Sequence, residues 1–581
     1  MSGVGPAVFQ SAGQRSEHVV PGAYSRSAAV GGAGSGVSAN NGVVLGRSRG
    51  GQPGRLFVFA SLEEARETLV DGELLKGVAH AFTPSSEFSP QAIRAMVVNG
   101  NTQAEAVLSS GGVDVLRLRT AGWGVVANGV ARLITDGTNP GTRRIRFSKG
   151  EAEDVIDNIG RRSIQLNYTG DGSAAALSVN ADGITVEVIG ADSISNKLII
   201  PFEDFPTIEE VVSRLNGTGE FAAVKLETDA NVPSSELDHV DSVDLMGGAV
   251  TLSSDFFALF RALEISPWIG RGNVERIEGS PNRLPDNDAD PVFFDGASAG
   301  TYTVADWNRT LAALETENIQ MITTPNTNRA VHTLISNHCT AMSNVKNRRE
   351  RTALLGGPIG ETVDEAVEAA AAFNNRLVSY CYPGIRASSP LTGEAEELPA
   401  SFFACKLMGM ETVVAIHEPL TWKSVGVLGF LVRLRIPEME TLIRGGVLCG
   451  GVTDDNRLAV IRAMTTHRGR QLQLVERSMV RLDLFMNRDL RMRISAGVGR
   501  PSRGAGGVAD AEGTLYGAAR EWKGMGFIVP DGQGNNVWGV VARVVGDKTL
   551  ITFHRNLTAP QNFFFITAFN HVYESAASVE V

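Results

Sequence analysis

Gly296-Ala-Ser298-Ala-Gly300 has the spacing of a nucleophile elbow, in which a serine on a sharp strand-to-helix turn is held exposed for attack. Asp295 and His332 are its nominal triad partners. The motif requires a helix to begin directly after the serine. Here Tyr302 intervenes and the start signal is Thr303, so a plain turn is expected and no catalytic residue is assigned. Asp286, Asp288 and Asp290 imitate the opening of a calcium loop, but Pro291 stands where glycine is required and Ala297 where glutamate is required. His338 and Cys339 are adjacent on a helical stretch and point different ways, which makes no metal site by itself. Gly356-Gly-Pro-Ile-Gly360 precedes a helix and lacks the lysine of a phosphate loop. No cofactor, metal or catalytic group is therefore expected. The remaining charged feature is a helical wheel from Gln471 to Ile494. Leu472, Val475, Met479, Leu482, Met486 and Leu490 fall on one side, with Arg477, Arg481, Arg488 and Arg491 opposite. That stripe reads either as a solvated face or as a docking strip for an acidic surface of a partner.

The elements around these residues alternate between strand and helix. Thr303 and Asp306 start a helix with Trp307, Leu311 and Leu314 on one face, and the strand Ile319–Thr323 follows. A helix from about Asn328 to Ser343 leads to the strand Thr352–Leu355. Thr362 and Glu365 then head a helix with Val367, Ala370 and Ala371 inward, before the strand Leu377–Cys381. Strand, helix and strand at this spacing predict parallel pairing through right-handed crossovers. A parallel sheet of this kind usually carries an active site, yet the core here is chemically empty.

With 581 residues the chain has room for roughly three or four domains. The net charge of −11 argues against a nucleic-acid partner. The N-terminal end is nevertheless basic, with Arg15, Arg26, Arg47, Arg49 and Arg55 against Glu17. Cys339, Cys381, Cys405 and Cys449 show no C-x-x-C spacing and read as reduced, buried small hydrophobes. No apolar h-region follows Met1. The most apolar stretch, Val425 to Ile436, is broken by Arg433 and Arg435 and is too short to span a bilayer, so no membrane insertion is expected.

Six regions follow from texture. Residues 1–40 are a Gly/Ser/Ala-rich extended arm, and 41–123 open an α/β core with strands Gly42–Gly46 and Leu56–Phe59 and a helix capped by Ser61 and Glu64. Residues 124–246 form a β-rich insertion, a small sandwich or barrel with one helix started by Thr207 and Glu210. Residues 247–400 resume the α/β pattern, from near Phe256. Residues 401–562 are a C-terminal α+β domain with a hairpin, Val537–Val541 to Thr549–Phe553, and 563–581 an apolar strand or arm.

Several stretches in order resemble the tail sheath proteins of contractile bacteriophages and the sheaths of contractile injection systems. Pro21-Gly-Ala-Tyr24 looks like the family's arm motif, and Asn41–Gly51 with Phe57–Ala65 like its opening strand and helix. Phe294-Asp-Gly296, Asp306-Trp307 and Leu311, Arg351–Gly357, Tyr382-Pro383-Gly384 and Ala463–His467 continue the likeness. The resemblance implies a subtilisin-like α/β domain without its triad. It further implies hexameric rings stacked helically round a tail tube, contracting to drive the tube through the host envelope during genome delivery. The partners implied are other copies of the chain, the tail tube protein, and baseplate and tail terminator proteins, with no direct nucleic acid. The implied location is the virion tail, after assembly in the bacterial host cytoplasm. Terminal arms would add strands to neighbouring sheets, which points to Pro21, Gly22, Tyr24, Phe569, Val572 and Tyr573 as inter-subunit residues. The alternatives are a serine hydrolase using Ser298 and a static tube or shell protein.

Overall fold

The computed structural model describes residues 7–11, 14–18, 40–190, 197–226, 232–495, 498, 505–545 and 548–563. Its centre is one eight-stranded sheet built from segments far apart in the chain. The strands are β1 (Gly42–Gly46), β2 (Leu56–Phe59), β3 (Ile93–Val97), β4 (Met321–Thr323), β5 (Thr352–Gly356), β6 (Val378–Tyr382), β7 (Val447–Val452) and β8 (Leu458–Arg462). They lie in the order β8-β7-β6-β5-β4-β1-β3-β2. The six inner strands are mutually parallel, and β2 and β8 close the edges antiparallel. β1, β5 and β6 are buried at every position, the signature of a sheet covered on both faces.

Helices cover both faces. On one side α1 (Leu62–Leu69), α2 (Glu73–Phe82) and α6 (Ala400–Val413) pack on Val44, Ala95, Leu354 and Cys381. On the other, α3 (Val304–Leu314), α4 (Arg329–Met342), α5 (Val363–Phe373), α7 (Ile436–Arg444) and the first half of α8 (Arg477–Ser495) pack on Val43, Leu45, Ala353, Leu355 and Tyr380. The two sets alternate along each strand because side chains of a strand point to opposite faces in turn.

The helix starts follow the expected capping chemistry. The Asp306 carboxylate accepts the Thr303 N–H at 2.7 Å and the Thr303 hydroxyl at 2.8 Å. Thr362 and Glu365 form the same reciprocal pair at α5. That helix is rotated from the expected wheel: Ala366, Ala369 and Ala370 are buried, while Val367 and Ala371 are only half-buried. α6 belongs to this body, although it begins at the expected start of the C-terminal domain. Nearly all its side chains are buried, as in any helix apolar all round.

The β-rich region is wider than 124–246. It leaves the body after Val98 and returns near Thr301, and it holds two cores. The first combines the hairpin Gln103–Ser110/Val113–Trp123, the sheet around Ala131–Asp136 and Arg143–Lys149, and a helix Asp255–Ile265. Phe256, Leu259 and Leu263 therefore pack in a β-rich core rather than marking the return of the α/β pattern. The second core, nested within the first, is a sandwich of a three-stranded and a four-stranded sheet with the Thr207/Glu210-capped helix Ile208–Asn216. At the C-terminal end, α9 (Ala505–Gly524) and the hairpin Trp538–Val545/Lys548–His554 form a last unit against α8. In the N-terminal arm, Ala7–Ser11 pairs with Gln14–His18.

Candidate functional site

Ser298 is a structural residue of the neck between the body and the β-rich insertion. Its carbonyl accepts the Thr102 N–H at 3.0 Å, its N–H donates to the Thr102 hydroxyl at 2.8 Å, and the two hydroxyls lie 3.1 Å apart. Two asparagines saturate the neck's backbone. Asn99 donates to the carbonyls of Ser48 and Ala299, and Asn101 to those of Gly50 and Gly51. The crossing chains come so close that a Cβ on Gly300 would lie 1.9 Å from the Gly100 carbonyl oxygen. His332 belongs to the other side of the nominal triad and does not join it. Its buried ring pairs with the Asn326 carbonyl at 2.7 Å, and burial lowers its pKa to about 4, so it is neutral. Asp295 accepts the adjacent Gly296 N–H.

The other chemical motifs are likewise absorbed by the fold. Asp288 accepts from Arg132 and from the Ile134 N–H, and Asp286 from the Gly111 N–H at 2.9 Å. Among the described residues no group of three His, Cys, Asp or Glu is placed to hold a metal. His338 accepts from Arg351 at 2.7 Å, and burial together with that cation lowers its pKa to about 4. Arg351 in turn donates to the carbonyls of Leu314, Glu315 and Glu317, satisfying the C-terminal end of α3. The glycine loop after β5 is filled by the protein's own carboxylate: a Cβ on Gly357 would lie 1.9 Å from Glu361 Oε2. Glu361 also accepts the Tyr380 hydroxyl at 2.7 Å. All four cysteines are free and buried, and burial pushes the thiols of Cys339, Cys405 and Cys449 up to about 12.

The arginine helix departs most from expectation. Arg477 and Arg481 do not face solvent; they are 1% and 5% exposed. Arg477 makes a bidentate pair with Glu411 of α6, at 2.7 and 2.8 Å, and donates to the Ala353 carbonyl and Ser379 hydroxyl at the starts of β5 and β6. Arg481 donates to the Glu411 carbonyl at 3.2 Å and lies 3.4 Å from its carboxylate. Burial alone would raise the Glu411 pKa, but the two guanidiniums outweigh it and hold the carboxyl below its ordinary value. The pair joins the helices of opposite faces across one end of the sheet. Arg488 and Arg491 are drawn to Glu350 in the loop before β5, and only Arg491 keeps appreciable exposure. The expected docking strip is thus mostly an internal clamp. Both sides of the first half of α8 are covered: Val480 and Leu484 pack on the sheet, Leu482, Phe485 and Met486 on α9 and its Trp522.

Residues at and around the start of this helix hold both ends of the described body. Asn40, where the N-terminal arm enters, accepts from Arg481 at 3.0 Å and donates to the Val414 carbonyl at 3.1 Å. At the other end, Asn562 donates to Glu476 at 3.5 Å, and the Arg462 guanidinium lies 5.6 Å from the centre of the Phe563 ring. Glu476 is fully buried beside Arg462, and burial pushes its pKa up to about 7. No sequence signal pointed to Glu411, Asn40 or Glu476; an acidic residue inside an apolar helix is the one hint Glu411 offered. The edge of β8 is covered by the strap Trp422–Val425, through bonds between Trp422 and Val460 and between Val425 and Leu458. β2 has no strand beyond it among the described residues. Pro21, Gly22, Tyr24, Phe569, Val572 and Tyr573 lie outside the described residues.

No protein-family model matches the chain. It is 28% identical over 459 residues to the tail sheath protein of Bacillus phage SP01, covering 76% of this chain and 77% of that protein. It is 22% identical over 449 residues to the tail sheath protein of Staphylococcus phage Twort, covering 70% and 72%. Among solved structures, the sheath tail protein Lin1278 from Listeria innocua matches with a TM-score of 0.56 at 10% identity, over 90% of this chain and 93% of the other. The sheath tail protein from Desulfitobacterium hafniense matches with a TM-score of 0.50 at 12% identity, over 93% and 100%. These two share the multidomain α/β fold.

Proposed function

We propose, from the premise that this chain is a homologue of the phage tail sheath proteins, that it is the structural subunit of a contractile tail sheath in the virion. Copies assemble in the bacterial host cytoplasm as hexameric rings stacked helically round a tail tube, between a baseplate and a terminator. Contraction drives the tube through the host envelope. The body is a subtilisin-like α/β block that has no triad and does no catalysis. The observation that carries this reading is the match to a tail sheath protein across 76% of the chain. The fate of the serine motif supports it, because Ser298 is bonded into the neck and His332 into its own loop.

The mechanics follow from the packing. A body whose two helical layers are cross-linked by Glu411, Arg477 and Arg481 moves as a rigid unit, and the arms at Asn40 and Phe563 act as connections between copies. The edge of β2, unpaired among the described residues, is a place where an arm from another copy can add a strand. The extended lattice stores energy in less favourable packing, so no nucleotide is hydrolysed. Electron microscopy of the purified chain tests this: striated hollow tubes are expected, and monomers alone or closed shells overturn it. Truncation of residues 1–39 abolishes the tubes and leaves a folded monomer.

A further inference from the structure

We propose that the end of the sheet where the parallel strands begin is a basic docking face, and that its partner is the acidic opposite end of a second copy of this chain. The proposal rests on the sheath reading and adds to it a specific contact between bodies, separate from the arms. Two loops converge at this end. The segment between α4 and β5 carries Lys346, Arg348 and Arg349, and the segment after β8 carries Arg468 and Arg470, all exposed. Among the described residues no ion pair involves any of the five.

Hydrogen bonds hold these loops in place. The Arg468 N–H donates to Asn374 at 3.0 Å, the Asn375 N–H to Thr466 at 3.1 Å, and the Asn375 amide to Thr340 of α4 at 2.9 Å. Arg349 donates to the Thr316 carbonyl at 2.6 Å, and Arg491 to the Arg348 carbonyl at 3.4 Å. The charges are therefore presented on a firm surface, with Val345 91% exposed among them. Concentrated cation is unusual in a chain of net charge −11, and it leaves carboxylates in excess elsewhere.

The opposite end of the sheet supplies them. Asp364 and Glu368 in the first turns of α5, and Glu394 in the hairpin Ile385–Ser388/Ala395–Leu398, are exposed and in no ion pair among the described residues. These elements follow the C-terminal ends of β5 and β6. The first basic loop precedes the N-terminal end of β5, and the second lies at the N-terminal end of β6, where the Thr466 N–H donates to the Val378 carbonyl. Contact between two different ends of the same molecule is heterologous, and where its rotation does not close into a ring it propagates as a filament.

Two surface variants of the full chain test the contact. Lys346→Glu/Arg348→Glu/Arg468→Glu/Arg470→Glu makes both ends acidic, and Asp364→Lys/Glu368→Lys/Glu394→Lys makes both ends basic. Each alone is expected to raise the critical concentration for tube formation by at least about tenfold, with unchanged melting, because like charges then meet. An equimolar mixture restores tubes, since alternating copies are again complementary. Either variant assembling alone like the unmodified chain, or a mixture no better than its parts, overturns the proposal. Failure of the unmodified chain to form tubes at all removes the sheath reading itself, which separates the two outcomes.

Discussion

In the α/β body, Glu411, Arg477 and Arg481 are almost wholly enclosed. In the β-rich insertion the pairs Lys197–Glu187 and Arg119–Glu105 lie at the surface. The two regions use charge to different extents. The insertion also encloses a pair, Arg132 with Asp288, but keeps pairs such as Lys197–Glu187 and Arg119–Glu105 at the surface, where a pair contributes little. The body encloses ions, which is tolerable only where each is paired and hydrogen-bonded. Such groups fix one arrangement of helices on the sheet, because any shift strands a charge. Under the proposed sheath function, a block that transmits force as a unit has reason to be built that way.

Breaking the Glu411 clamp tests this contrast most severely. Glu411→Ala leaves two buried guanidiniums unpaired and is expected to remove about 3–5 kcal/mol from the body. Denaturant titration should show it, whereas Glu187→Ala in the insertion changes stability by no more than about 1 kcal/mol. Comparable losses for both would erase the distinction. Leu177, fully buried in the sandwich, gives the converse. Leu177→Ala costs about 2–5 kcal/mol in the insertion's transition alone. If amide exchange in β5 and β6 rises equally, the neck couples the regions more tightly than its geometry implies.

Glu476 adds a pH dependence to the body. Its folded pKa, about 7, lies above the ordinary 4.5, so between those values the folded chain holds a proton that the unfolded chain has released. The contribution of Glu476 to stability therefore falls as pH rises through that window and levels off above it, by about 3 kcal/mol in all, while buried neutral His332 and His338 contribute with the opposite sign. Arg462 and Asn562 are the polar groups facing it. In thermal melts from pH 4.5 to 8 the stability of the unmodified chain relative to Glu476→Gln should fall across this window; a difference that does not vary with pH would assign the titration elsewhere. The smallest effect expected is for Ser298→Ala, which removes one exposed hydroxyl contact and should shift stability by about 0.5 kcal/mol, with no change in tube formation.

Much of the secondary structure was legible because its signals are local. Ser61/Glu64, Thr207/Glu210, Thr303/Asp306 and Thr362/Glu365 each bond across three residues, so each helix start could be read from four letters. α6 was not legible, since a helix apolar on all sides has no face to reveal. The true extent of the insertion was hidden for another reason. Its first strands and its helix at Asp255 pair with each other across more than a hundred residues, and texture alone does not show such pairing.

The chain's own letters determined the alternation of strands and helices, the caps and turns, and the likeness to tail sheaths. Only the tertiary structure decided which charges are buried. Arg477 and Arg481 have the periodic spacing of a solvent-facing stripe, and whether they meet water or a carboxylate depends on Glu411, 66 residues before Arg477. Periodicity is a property of one helix, whereas the free energy of a charge depends on everything that surrounds it.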